Sequence, residues 1–316
     1  MAFLPPLALF LCVVLLSWLL RTGYAHVLAL DTPNHRSLHT APTPRIGGLG
    51  IMLGGLVAMV GVGEIMLALL TLGLAMVSWL DDRRHVSIAL RLAVQFVAAV
   101  VWVGCFELNL WSAVAVVALV WMANLYNFMD GSDGLAGGMA VFGFGAYSAA
   151  AWLGGDMSLS WLGAAIAAAA LGFLRFNFPP ARMFMGDVGS VPLGFAAGAL
   201  GYQGWAQALW PWWFPLLVFS PFVMDATLTL LRRGLRGEPI WQAHRAHYYQ
   251  RLVRMGWGHR KTALAEYGLM VLAALSALAI APLPPVAQLL GLLCWAGMYA
   301  LLARRIDQAW LAAGQQ

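Results

Sequence analysis

The run "IGGLGIMLGGLVAMVGVGEIMLALLTLGLAMVSWL", residues 46–80, decides the fold. A membrane-spanning helix needs about 20 consecutive apolar residues, and this run is too long for one span. Read as two spans, 46–62 and 64–80, it reverses within "GVGE"; read as one long helix, it moves every later loop to the other side of the membrane. The rest of the chain must choose between these readings.

With 62% hydrophobic and 10% charged residues, the chain lies far outside the soluble range. The composition predicts an all-α, polytopic membrane protein formed as a single transmembrane domain. A spanning-helix window finds about eleven segments, at 3–20, 46–62, 64–80, 88–106, 110–128, 136–153, 160–175, 188–204, 209–231, 262–280 and 284–303. The first has no Lys or Arg before it and reads as a retained span, since a cleaved signal carries a charged leader. Cys12, Cys105 and Cys294 each sit inside an apolar run without metal-ligand spacing, and are expected to be buried small side chains.

Charge tests the 61–64 junction. With two spans kept, the loops 21–45, 81–87, 129–135, 176–187 and 232–261 and the tail after Ala303 share one side. All 18 Lys and Arg residues lie on or beside them, whereas the opposite loops hold the acids Glu64, Glu107 and Asp156 and no cation. The positive-inside rule then makes the basic side cytoplasmic, with the N-terminus periplasmic and the C-terminus cytoplasmic. Trp152, Trp161, Trp205, Trp210, Trp212 and Trp213 crowd the other ends, as an aromatic belt would. The net charge of +5 describes the cytoplasmic face. Anionic lipid headgroups are its expected partner, and nucleic acid is not required.

Five polar stretches fall on that face: "DTPNHRSLHTAPTPRIGG" (31–48), "DDRRH" (81–85), "NLYNFMDGSDG" (124–134), "FNFPPARMFMGDVGS" (176–190) and "RRGLRGEPIWQAHRAHYYQRLVR" (232–254). Singly, each has a plain explanation: an ion cluster beside Arg83 and Arg84, capping turns, interfacial histidines. Together they supply carboxylate and amide oxygens for a hard divalent cation and Arg and His donors for phosphate oxygens. That is the equipment of phosphoryl transfer, in which catalysis is mostly positioning and charge neutralisation. A transporter would instead show polar groups in broken helices at mid-membrane and internal repeats. Asp225 is an intramembrane acid, functional by default, with two structural alternatives: an ion pair to Arg232 or a contact at the Pro221 bend.

The order DD, NxxNxxDGxDGLA, FMGDVGS and a His-containing loop resembles the polyprenyl-phosphate N-acetylhexosamine-1-phosphate transferases, from about Asp31 to Arg254. The loop "HRAHYYQRL" replaces the triple His of the peptidoglycan branch and is similar to the O-antigen-initiating branch, with peptidoglycan- and teichoic-acid-type transferases as alternatives. The resemblance implies Mg2+-dependent transfer, with Mn2+ able to substitute, of a sugar-1-phosphate from a UDP-N-acetylhexosamine to undecaprenyl phosphate, at the cytoplasmic face of a bacterial inner membrane. It also implies a possible homodimer. Carried over by position, Asp187 and Asn127 would be metal ligands. Asp130 and Asp133, with Asn124, would line the nucleotide and diphosphate pocket, and Asp81 and Asp82 match the aspartate pair. The family's Lys after that pair is absent, the nearby cations being Arg83 and Arg84. His244, Arg245 and His247 are expected to bind phosphate, His247 mattering more than His259, and Arg45, Arg36 and His39 to lie near the acceptor. If "HRAH" is helical, His244 and His247 share a face.

Overall fold

A computed structural model describes residues 1–33, 38, 41–84, 86–239 and 244–314. The chain is an all-α, polytopic membrane protein. It opens with α1 (Leu4–Arg21) and α2 (Tyr24–Leu28), followed by a two-residue antiparallel ladder, β1 (Leu30–Asp31) on β2 (Thr43–Pro44). Then come α3 (Gly48–Val62), α4 (Ile65–Arg84), α5 (Ile88–Val103), α6 (Ser112–Met129), α7 (Leu135–Leu153), α8 (Met157–Asn177) and α9 (Asp187–Ala206). The C-terminal part holds α10 (Phe214–Val218), α11 (Ser220–Leu235), α12 (Tyr248–Leu252), a π turn Val253–Trp257, α13 (Gly258–Ile280) and α14 (Pro285–Ala312). Among the described residues, 7 helical runs are long and apolar enough to cross a bilayer, and α3 and α5 are shorter apolar helices.

The 61–64 junction is a helix end. Gly63 stops α3 with φ of 90°, a left-handed conformation that only glycine adopts cheaply, and α4 starts two residues later. Local caps fix other starts. Ser87 accepts the Leu90 N–H at the head of α5, and Asp156 accepts the Leu159 N–H, 2.8 Å away, at the head of α8.

Helix α9 is the central post, buried along nearly its whole length against α3, α4, α5, α6 and α7. Its glycines admit this crowding. A Cβ on Gly48 would lie 2.4 Å from the Cα of Gly189, so α3 and α9 cross backbone to backbone. Because α9 begins at Asp187, that crossing places an acid at the buried helix's N-terminal end, where the helix dipole favours negative charge.

Three expectations need correcting. The span expected at 209–231 is broken: α10 and α11 meet at Phe219, each with a proline in its first turn, the position where proline is tolerated. Cys12 is buried, but Cys105, in the turn after α5, and Cys294, on α14, are exposed. Trp210 and Trp213 are buried, donating to Gly201 O and to Gln288 Oε1 at 3.0 Å each, so they tie helices together and do not belong to a surface belt.

Candidate active site

The motifs meet at the end of the bundle where α4, α6 and α9 carry their acids. Asp82 accepts from Arg45 and, at 3.4 Å, from the Val188 N–H. Asp187 Oδ1 accepts from Asn127 Nδ2 at 2.9 Å and from Arg45 at 3.4 Å. Asn127 Nδ2 also reaches Ser190 Oγ at 2.9 Å. Asp81 accepts from Arg91 and, at 2.8 Å, from the Val86 N–H, and Arg91 Nη1 lies 3.8 Å from Asp187 Oδ2. Asn124 sits one turn deeper on α6, donating to Gln95 Oε1 at 2.6 Å. Asp81, Arg91, Gln95, Asn124, Asn127 and Asp187 border a single crevice. Gly186 permits a close approach of backbone to backbone: its φ is 74°, and a Cβ there would strike the Arg45 carbonyl at 2.3 Å.

Asp130 caps α6 and accepts from the Gly186 N–H. Withdrawal from water, then the charges of Asp187 and Asp82, push its carboxyl well above the usual carboxylate range, with Arg45 opposing. Four carboxylates, Asp81, Asp82, Asp130 and Asp187, meet two guanidiniums, Arg45 and Arg91, an imbalance that a divalent cation would offset. Among the described residues no three His, Cys, Asp or Glu side chains form a closed metal cage. Mg2+ does not require one, since it binds through one or two carboxylates and fills its octahedron with water and substrate phosphates. Asp187 and Asn127 fit that role. Half a turn of the Asn127 amide would put its oxygen beside Asp187, facing the same cation.

Asp133 faces elsewhere. Its Oδ2 accepts the Ala181 N–H at 2.9 Å, and its Oδ1 lies 3.6 Å from His259 Nδ1. The turn around it is pinned by Asn177, which accepts from Gly134 N at 2.8 Å and donates to Met183 O at 2.9 Å. His259 Nδ1 is 2.9 Å from Ser132 Oγ and accepts from Asp133 N at 3.3 Å. The first glycine of the turn has a packing role as well: a Cβ on Gly131 would lie 2.2 Å from Tyr249 Oη, which itself donates to Phe128 O.

His244 and His247 approach from the other wall. Residues 244–247 are not helical, and α12 starts only at Tyr248, so the helical-face expectation for "HRAH" fails. Their rings nevertheless lie 4.8 Å apart, and both line a cavity of about 700 Å³ with Arg91, Asn124 and Asn127. Apart from Gln250, the remainder of that cavity is apolar, including Leu92, Phe96, Val117, Trp121 and Leu230 from α5, α6 and α11. Burial, then the neighbouring His247 and Arg233, lower the His244 pKa to about 4. Arg245 does not line the cavity, and Arg36 and His39 lie outside the described residues.

Neither structural alternative for Asp225 holds. Arg232 pairs with Asp307 at 2.7 Å, and Asp225 binds His247 Nδ1 at 3.1 Å. Arg91 and Asn177 did not stand out in the sequence, whereas Asp225 stood out as an intramembrane acid without a settled partner and His259 only as a lesser histidine. An arginine one turn inside the apolar helix α5 was itself a signal, because intramembrane charge is costly and kept for function. Arg91 and Arg45, not Arg83 or Arg84, are the cations that reach the aspartate pair, and Arg83 stacks on Trp79.

Residues 64–204 match the family model described as glycosyl transferase family 4. A probable undecaprenyl-phosphate N-acetylglucosaminyl 1-phosphate transferase of Bacillus subtilis (strain 168) is 30% identical over 277 residues, covering 80% of this chain and 77% of the relative. A decaprenyl-phosphate N-acetylglucosaminephosphotransferase of Mycobacterium tuberculosis is 28% identical, covering 88% and 83%. A phospho-N-acetylmuramoyl-pentapeptide-transferase of Shouchella clausii is 29% identical, covering 68% and 76%. A multi-pass bundle with this cluster, matched along most of its length to such enzymes, is a membrane transferase of phosphosugars. The chain belongs to glycosyl transferase family 4, the polyprenyl-phosphate N-acetylhexosamine-1-phosphate transferases.

Proposed function

We propose that this protein transfers a sugar-1-phosphate from a UDP-N-acetylhexosamine to undecaprenyl phosphate at the cytoplasmic face of a bacterial inner membrane, releasing UMP. One observation carries the reading: the polar cluster around Asp187 shares Arg91, Asn124 and Asn127 with a cavity whose wall, apart from His244, His247 and Gln250, is apolar. A polyprenyl phosphate has the matching amphipathic shape, its tail suited to the wall at Phe96, Trp121 and Leu230 and its phosphate to the arginine and histidines.

Asp187 and Asn127 would hold Mg2+, which when bound offsets charge on the diphosphate and orients it. Arg45 and Arg91 clamp Asp82 and Asp81, fixing the aspartates while leaving cationic edges toward the substrate phosphates. A phosphate monoester has a second pKa near about 6 and is largely dianionic at neutral pH. In that form a lipid phosphate oxygen bonds to the sugar-bearing phosphorus as the bond from that phosphorus to the UMP oxygen breaks, and the monoanionic form must first give up its residual proton. Neutral His244 contributes a hydrogen bond and not a charge; His247 Nε2 faces the same phosphate.

The O-antigen-initiating branch is our reading of "HRAH" where the peptidoglycan branch has three histidines. Purified protein in detergent should release UMP only with Mg2+ and undecaprenyl phosphate together. Given a panel of UDP-N-acetylhexosamines and UDP-MurNAc-pentapeptide, it should use the former. Turnover of the pentapeptide substrate alone would assign the peptidoglycan branch instead, and UMP release without any lipid acceptor would overturn direct attack. Cysteines placed at Gly155 and Arg236 should label from the periplasm and the cytoplasm respectively.

A further inference from the structure

Asp225, on α11, is a buried carboxylate with no ion pair to Arg or Lys among the described residues, Arg232 of the same helix being committed to Asp307. An unpartnered charge there would be costly, and Asp225 is instead held wholly by hydrogen-bond donors. Oδ1 accepts the Tyr248 N–H at 2.9 Å and faces His247 Nδ1 at 3.1 Å; Oδ2 accepts the Tyr249 N–H at 2.9 Å; Thr229 Oγ1 adds a fourth contact at 3.2 Å. One side chain of α11 thus fixes both the start of α12 and the imidazole that precedes it. The His247 ring is further confined between Phe128 of α6, Tyr249 of α12 and His244, all stacked or tilted against it. With Nδ1 engaged, Nε2 is the nitrogen left to the cavity that His247 lines with Arg91 and Asn127.

We propose that Asp225 is the positioning residue for His247: its carboxylate fixes the ring's tautomer and orientation so that Nε2 meets the acceptor phosphate. The inference rests on the reading of His247 as the acceptor-phosphate group, and it adds a residue that touches neither substrate. A carboxylate on Nδ1–H leaves the lone pair of the neutral ring on Nε2, ready to accept the residual proton of a monoanionic lipid phosphate. It also stabilises the imidazolium that results, whose Nε2–H then donates to the same phosphate. Without the carboxylate the ring is free to turn, or to take the tautomer that carries its proton on Nε2. Binding of the UDP-sugar, whose groups lie across the cavity, does not depend on either property. The expected signature is a loss in kcat with little change in KM for the donor.

The test is a double-mutant cycle on full-length protein in detergent with Mg2+, a UDP-N-acetylhexosamine and undecaprenyl phosphate, comparing Asp225→Asn, His247→Ala and the double variant. Asp225→Asn should lower kcat by about 100-fold, the lower end for a misplaced acid–base group, with donor KM within about twofold. The double variant should fall within about threefold of His247→Ala alone, because Asp225 acts through a ring already removed. A purely structural capping role would make the losses multiply, and that outcome overturns the inference. So does Asp225→Asn with kcat near wild type while His247→Ala is crippled. Wild-type kcat in His247→Ala would instead sink the reading of His247 itself. Should Asp225→Asn not yield folded protein, Asp225→Glu keeps the charge and displaces the ring, and the same cycle applies; wild-type kcat in that variant counts against the proposal.

Discussion

Asn127 and Asp187 are 60 residues apart in the chain, and the amide of one meets the carboxylate of the other at 2.9 Å. The contact exists because α6 and α9 pack along their lengths and end at the same level. Asp187→Asn should lower turnover by about 10³-fold or more, the scale of losing a main electrostatic element. Its thermal midpoint without Mg2+ should be unchanged or higher, since one of several crowded carboxylates becomes neutral. Retained turnover would remove Asp187 from the site.

Arg91 joins Asp81 to Asp187 through one nitrogen, Nη1, which faces both carboxylates. We expect Arg91→Ala to lose about 100-fold in kcat/KM and Arg91→Lys to recover part of it. Arg83→Ala, which removes only a cation stacked on Trp79, should stay near wild type. Equal effects at the two positions would contradict this assignment.

His244 carries no charge near neutrality, its pKa being lowered to about 4 by burial and by His247 and Arg233. A histidine whose folded pKa lies below the unfolded value of about 6.5 gives stability that is complete above that value. That stability is lost as pH falls through about 4. The thermal midpoint should therefore drop more between pH 6 and pH 4 in wild type than in His244→Asn. The pH–rate profile between pH 6 and pH 8 should keep its shape in that variant.

Gly48 and Gly189 let α3 and α9 touch, so Gly48→Ala forces backbones apart at the base of the site. Destabilisation of roughly 1–3 kcal/mol, or loss of folded protein, is expected from such overpacking. Gly73→Ala on α4 meets open space and should be neutral or stabilising by up to about 1 kcal/mol. Thermal midpoints in one detergent decide between them.

His259 is not the silent control its place in a basic loop suggests, because it braces the 131–134 turn through Ser132 and Asp133. His259→Ala should raise donor KM several-fold and leave kcat less damaged than His247→Ala does. A variant identical to wild type would show that the brace is dispensable.

Much of the architecture was legible as local pattern. Apolar runs gave the helices because a bilayer admits only internally hydrogen-bonded backbone. The clustered acids were legible too, as motifs whose chemistry agrees. What pattern could not supply was pairing. Arg91 looked like one cation among several, Asp225 like a candidate for its own helix's arginine, and Asp133 like a twin of Asp130.

The sequence by itself determined a polytopic helical transferase and the segments from which its site is built, since composition and spacing act within one segment or one turn. Only the tertiary structure decided that Asp81 takes Arg91, that Asp82 takes Arg45, that Asp133 turns to Ala181 and His259, and that Asp225 takes His247. Those choices follow from which helices cross and how closely. A charge withdrawn from water must bond to whatever donor the packing brings within about 3 Å, and sequence distance does not enter that requirement.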